Sequence, residues 1–225
     1  LKKGVDEGKD QSYVLYNLTQ HQLAHTIFPL GAYSKTQIRE MAEKQSFCNA
    51  RKHDSQDICF VPDGDYVGFM EQYTGKRYPS GDFIDENGKK IGTHAGAVRY
   101  TIGQRRGLGL PMGDRVYVCA KDMEKNTVTV GPVESLFATR VIVRDMNWIS
   151  VPGLTGEMRV KAKLRYRQKE QPAVASPLDG GRILLTFDEP QRGPAIGQAA
   201  VLYDGDTVVG GGTICGVPKD GEVCR

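Results

Sequence analysis

Several things are scarce in this chain of 225 residues: one tryptophan, four histidines, and five cysteines with no Cys-x-x-Cys pair among them. Cys48, Cys59, Cys119, Cys215 and Cys224 are scattered, which excludes the spacing signatures of a zinc site and of a disulfide framework. An odd count of unpaired thiols suits a reducing, cytoplasmic setting. No apolar run is long enough to cross a bilayer, and the polar start at Leu1-Lys2-Lys3 has no signal-peptide core, so no membrane partner is expected. The Gly-x-Gly-x-x-Gly and Gly-Lys-Ser/Thr spacings of phosphate loops are missing. Excess charge is small as well. A formal net charge of +3 names no partner, and local clusters must carry any nucleic-acid argument.

What is present is ordinary globular composition, 39% hydrophobic and 25% charged, enough for one large or two modest domains. Residues 1 to 50 read as helical: Val14, Leu15, Leu18, Leu23 and Ile27 recur at helical intervals. Ser34 and Gln37 form a capping box before Ile38, Met41 and Ala42, an apolar stripe whose partner surface is expected upstream of residue 1. The chain starts without methionine, and the expectation is a piece of something longer. From Asp63 the pattern changes. After a short helix capped by Asp63 or Asp65, strand-like runs follow: Phe83-Ile84 and Lys90-Ile91 about an Asn87-Gly88 type I′ turn, Ala97 to Ile102, Val116 to Ala120 and Thr127 to Val130. The series continues with Val141 to Val143, Met158 to Tyr166, Arg182 to Phe187, Ala199 to Tyr203 and Thr207 to Val209, the signature of small β-barrels or sandwiches. Boundaries are expected near residues 62 and 132.

Two basic clusters stand out. Arg159, Lys161, Lys163, Arg165, Arg167 and Lys169 alternate with Val160, Ala162, Leu164, Tyr166 and Gln168. Read as one strand, period two puts all six cations on one face at a repeat of about 6.7 Å, near the phosphate spacing of a nucleic-acid strand. Six unneutralised like charges repel one another, so stability alone does not explain them. The second cluster is Arg105 and Arg106 in the glycine-flanked loop Gln104 to Gly109, which can present amides and guanidinium groups to a phosphate. Lys9-Asp10-Gln11 precede an apolar helix, where a capping role for Asp10 and a meeting with anionic groups are both open. Cys59, between Ile58 and Phe60, closes the polar stretch that starts at Arg51. A small buried hydrophobe and a reactive thiol on a polar loop are both open there too.

Asp54-Ser55-Gln56-Asp57-Ile58-Cys59-Phe60 resembles the second active-site cysteine motif of the tRNA-specific 2-thiouridylases, the bacterial enzymes that place sulfur on the wobble uridine. Lys9 to Tyr13, Tyr100 to Gly109 and Arg165 to Gln168 match further blocks of that family in the same order. The resemblance implies an α+β fold: the helical tail of an α/β nucleotide-binding domain carrying the Cys59 loop (1–62), a central β-rich domain (63–132) and a C-terminal, tRNA-binding β-barrel (133–225). It implies Cys59 as the persulfide carrier that later forms a disulfide with a cysteine of the ATP-binding domain, and tRNA contacts at Lys9, Asp10, Gln11, Arg165, Tyr166 and Gln198, with Arg105 and Arg106 added from the loop reading.

The same resemblance implies ATP with magnesium as cofactor of the full-length enzyme, no bound protein metal, and tRNA plus a sulfur-relay protein or cysteine desulfurase as partners of a cytoplasmic monomer. The family's Ser-Gly-Gly-x-Asp-Ser loop does not occur here, so the chain by itself is expected not to hydrolyse ATP or to thiolate tRNA. The competing reading is a non-catalytic RNA-binding β-barrel module, and a third is a structural barrel whose basic face is only solvated.

Overall fold

A computed structural model of the chain describes residues 1–52, 61, 64–110 and 115–218. They form two compact units: residues 1–52 with the chain from 138 onward, and the residues between.

Three short helices come first, α1 (Ser12–Leu15), α2 (Gln20–Ala24) and α3 (Lys35–Lys44). The Ser34/Gln37 capping box starts α3 as the sequence predicts, and a second box at Thr19/Gln22 starts α2. The run from Val14 to Ile27 is not one helix face, because the chain turns between α1 and α2 and leaves Val14 and Ile27 exposed. The stripe on α3 is only partly covered: Ile38 and Ala42 are half-buried and Met41 is exposed.

In the central unit, α4 (Tyr66–Thr74) starts where the Asp65 carboxylate accepts from the Gly68 amide at 3.0 Å and stops at Gly75, in the left-handed region. Strands β1 (Gly81–Ile84), β2 (Lys90–His94), β3 (Tyr117–Asp122) and β4 (Thr127–Gly131) make one sheet in the order β2-β1-β4-β3, with β1 parallel to β4. The hairpin at Asn87-Gly88 forms, but its turn is not type I′. Only Gly88 takes positive φ, and the Asp85 carboxylate holds the loop by accepting from the amides of Asn87 and Lys89. Ala97 to Ile102, expected as a strand, is a single 3-10 turn at Ala97–Arg99 followed by a second turn at Ile102-Gly103. Tyr100 is spent as core beside Phe83, Val118 and Val128.

The last six strands are β5 (Phe137–Trp148), β6 (Met158–Lys163), β7 (Gln171–Pro177), β8 (Ile183–Arg192), β9 (Ala199–Asp204) and β10 (Thr207–Gly216). They close into a barrel in the order β10-β5-β8-β7-β6-β9. Its interior alternates small and large side chains, with Ala162, Ala173 and Ala200 beside Leu164, Leu185 and Leu202, as a narrow closed sheet requires. β7 is not among the strand-like runs read from the sequence, and Pro172 and Pro177 are residues that disfavour a strand paired on both sides. It nevertheless pairs with both β6 and β8.

β9, like its neighbour β10, has both faces buried. Ala200 and Leu202 point into the barrel, while Val201 and Tyr203 point out and are covered by Tyr13, Tyr16 and Ile149. The strand therefore reads Ala-Ala-Val-Leu-Tyr without polar alternation.

Candidate nucleic-acid interface

The cover over β9 is the start of the chain. Lys2 pairs with Thr207, the Lys3 amide donates to the Asp206 carbonyl (2.9 Å) and the Val208 amide donates to the Leu1 carbonyl (3.0 Å), on the side of β10 that β5 leaves once its pairing stops at Gly210. Tyr16 then lies flat against Gly211, where an added Cβ would stand 2.6 Å from the Tyr16 ring and 2.9 Å from the Ala200 carbonyl. The Tyr13 hydroxyl donates to the Ala199 carbonyl at 2.9 Å. Burial, and secondarily the neighbouring Tyr16, pushes the Tyr13 phenol up to about 12, with Arg165 pulling the other way.

Under this cover runs a polar chain. The Tyr203 hydroxyl lies 3.2 Å from Ser12 Oγ, and Ser12 Oγ donates to Asp10 Oδ2 at 2.6 Å. Asp10 Oδ1 accepts from the amides of Gly4 (3.0 Å) and Ser12 (3.1 Å). The ammonium groups of Lys3 and Lys163 stand 5.6 and 5.7 Å from the centre of the Tyr203 ring. Burial opposes the charge on Lys3, but Glu170 at 3.0 Å and Asp206 outweigh it and raise its pKa. Burial also raises the pKa of Tyr203, against the hydrogen bond from Ser12.

The predicted RNA-facing residues of this unit gather at the edge of the cover. Gln11 Nε2 donates to the Tyr166 hydroxyl at 2.5 Å across 155 positions of sequence, and the Tyr166 ring meets Tyr13 edge-on at 6.1 Å between centroids. Tyr166 keeps 39% of its surface open to solvent. Its neighbour Arg165 is half-buried and donates through Nη2 to the Gly193 carbonyl at 2.5 Å, at the start of the loop that ends in the exposed Gln198. The Gln198 backbone is fixed, accepting from the Ile214 amide at 2.8 Å, one residue before the carbonyl that Tyr13 holds. Lys9 is exposed beside Asp10.

The six-cation stripe does not form. β6 ends at Lys163, so only Arg159, Lys161 and Lys163 alternate on a strand, while Arg165 and Arg167 lie in a tight turn and Lys169 follows it. The turn is closed by Gln168, whose Oε1 accepts from the Leu164 amide (3.0 Å) and whose Nε2 donates to Gln191 (2.8 Å). Nor are the charges unneutralised: the Arg159 guanidinium forks onto the Asp188 carboxylate. What the sequence did not single out is the buried support, Ser12, Tyr13 and Tyr203. The signal for it was the unalternating run of β9, which announces a second cover without saying what supplies it.

Arg105 and Arg106 are in the central unit. Both are exposed, on a loop held by the Gly103 amide donating to the Val118 carbonyl (2.8 Å) and by Gln104 Nε2 donating to the Arg106 carbonyl (3.0 Å). Gly103, Gly107 and Gly109 all take positive φ there. Cys59 lies outside the described residues. Among those described, Cys48 is exposed, Cys215 is half-buried, and Cys119 is half-buried with its thiol pushed up to about 11 by burial and by Glu86. The described residues contain no cluster of three or more His, Cys, Asp or Glu side chains fit for a metal, and no helix long and apolar enough to cross a membrane. One hollow among the described residues does not fit a nucleoside triphosphate. Lined by Glu43, Ser46, Phe47, Cys48, Ala50 and Arg51, it carries a carboxylate that already engages Arg51 at 3.2 Å, and no glycine-rich cradle.

Three family models match in sequence: tRNA methyl transferase HUP domain over residues 1–63, tRNA methyl transferase PRC-barrel domain over 67–132, and aminomethyltransferase beta-barrel domain over 138–214. The chain is thus a protein of HUP, PRC-barrel and β-barrel parts. It is 50% identical over 214 residues to the tRNA-specific 2-thiouridylase MnmA 1 of Thermoanaerobacter sp. (strain X514), covering 95% of this chain and 59% of that protein. The enzymes of the same name from Heliobacterium modesticaldum and Moorella thermoacetica are each 49% identical over 95% of this chain, which covers 56% and 60% of their lengths. The chain belongs to the tRNA-specific 2-thiouridylase family. It spans between half and two thirds of the length of these relatives.

Proposed function

We propose that this protein takes part in sulfur transfer to C2 of the wobble uridine of tRNA in the cytoplasm, and that the described surface holds the tRNA. The observation that carries the reading is the bond between Gln11 and Tyr166. Two blocks far apart in sequence, each matched to an RNA-contacting block of the family, form one exposed patch with Lys9 and Gln198 beside it. Tyr166 offers a ring for an unpaired base. Arg165 fixes the loop carrying Gln198, whose side chain offers an amide to a base edge. Arg105 and Arg106 would meet phosphates from the central unit.

Cys59 is assigned the persulfide. A sulfur-relay protein or a cysteine desulfurase would load it, and the terminal sulfur would replace the uracil oxygen while Cys59 passes into a disulfide with a second cysteine. ATP and magnesium are assigned to the whole enzyme outside the described residues, where ATP would supply the activation that lets the uracil oxygen depart as part of a nucleotide leaving group. On this reading the enzyme acts as a monomer, and the present chain alone is inactive.

The test is Cys59→Ser in the full natural protein, read by 2-thiouridine content of tRNA and by tRNA affinity. Loss of 2-thiouridine with unchanged affinity is expected. Retained thiolation would overturn the assignment and leave the surface as that of an RNA-binding module.

A further inference from the structure

We propose that Asp10 is a positioning residue that never touches RNA: it sets Gln11, and through Gln11 the ring of Tyr166. This rests on the tRNA-holding role given to that surface. The carboxylate is half-buried and turned inward, with both oxygens engaged, Oδ1 by the Gly4 and Ser12 amides and Oδ2 by the Ser12 hydroxyl. Ser12 is itself 1% exposed and reaches the fully buried Tyr203. Asp10 therefore ties two stretches of the opening segment to the outer face of β9. A bare carboxylate on a surface that receives an anionic ligand would repel it. Here the charge is spent on three donors, and the next residue, Gln11, is left facing out with its amide on Tyr166.

Asp10→Asn keeps the shape but puts an NH2 group where the Ser12 hydroxyl donates, so it removes a charge-assisted bond and weakens two others. In the full natural protein, with an unmodified tRNA transcript as probe, this variant and Gln11→Ala should each weaken binding by about ten-fold. The double variant should be no weaker than Gln11→Ala, because Asp10 acts through Gln11. The slope of log K against log salt should stay at the wild-type value, since no phosphate contact is lost. Additive losses would mean that Asp10 meets the RNA itself, and would overturn the proposal.

A second readout needs no RNA: amide hydrogen exchange across residues 4–16 should speed up in Asp10→Asn while that of β8 does not change. Unchanged exchange in that segment would overturn the positioning role whatever the tRNA does. If Gln11→Ala leaves tRNA affinity intact, the RNA-holding reading of the surface fails separately, and the exchange experiment still decides whether Asp10 positions the segment. Ser12→Ala removes the same link from the other side and should behave as Asp10→Asn does.

Discussion

The same closed barrel has two outer faces of opposite kind. On β9 and β10 the outward positions are Val201, Tyr203, Val208 and Gly211, and the opening segment of the chain lies on them. On β6 the outward side chains are Arg159, Lys161 and Lys163, and the strand then gives way to the turn carrying Arg165 and Tyr166. The interior is alike behind both. The difference teaches that closure settles the inside of such a sheet only, while each outward position remains free to hold a cover or to meet a ligand. The line between the faces is Tyr203, fully buried yet flanked by Lys3 and Lys163.

The comparison can be broken most severely at Gly211. Gly211→Val sets a branched side chain against the Tyr16 ring and the Ala200 carbonyl, and should cost roughly 3 kcal/mol in a denaturant titration. Limited proteolysis should then cut within residues 1–23 while the barrel interior stays protected.

Alkali should loosen the covered face next. The phenols of Tyr13 and Tyr203 have raised pKa values in the folded protein, so the unfolded chain gives up its protons first. Their contribution is complete below pH 10 and drains as pH climbs toward 12, at about 1.4 kcal/mol per pH unit for each ring while only the unfolded form ionises. Melting temperature against pH in wild type, Tyr13→Phe and Tyr203→Phe checks this, the variants falling less steeply.

On the open face, Tyr166→Ala should reduce tRNA affinity about ten-fold by loss of a stacking surface while leaving the melting temperature close to wild type. The smallest effect is expected at Asp188→Ala, which releases Arg159. Stability should not move measurably, and the salt dependence of tRNA binding should steepen by no more than the one extra cation can supply.

The sequence carried the barrel strands well where apolar and charged residues alternate, as at Arg159 to Lys163, and carried helix starts well where a side chain caps its own turn, as at Ser34 and Asp65. It carried β7 badly, because Pro172 and Pro177 weigh against a doubly paired strand in any local reading. The cationic alternation past Lys163 misled for a different reason. Period two in the text continues through Lys169, but Gln168 captures the Leu164 amide and folds the chain back, a choice made by one side chain and its partner Gln191 far along the sequence. Of the site, Gln11, Tyr166 and Gln198 could be named from sequence. Their adjacency could not, because it depends on the first residues lying along β10, a pairing across about the whole length of the chain.

Closure has one more effect. Among the described residues, the stretch of β10 that β5 leaves is already taken by the backbone of Leu1 to Lys3, and the closed ring leaves no sheet edge to which a visiting segment could add itself by β-augmentation. Whatever docks on this barrel must be recognised by side chains and loop backbone alone, so its selectivity can be rewritten by point substitution without touching the hydrogen-bond ladder that holds the barrel shut.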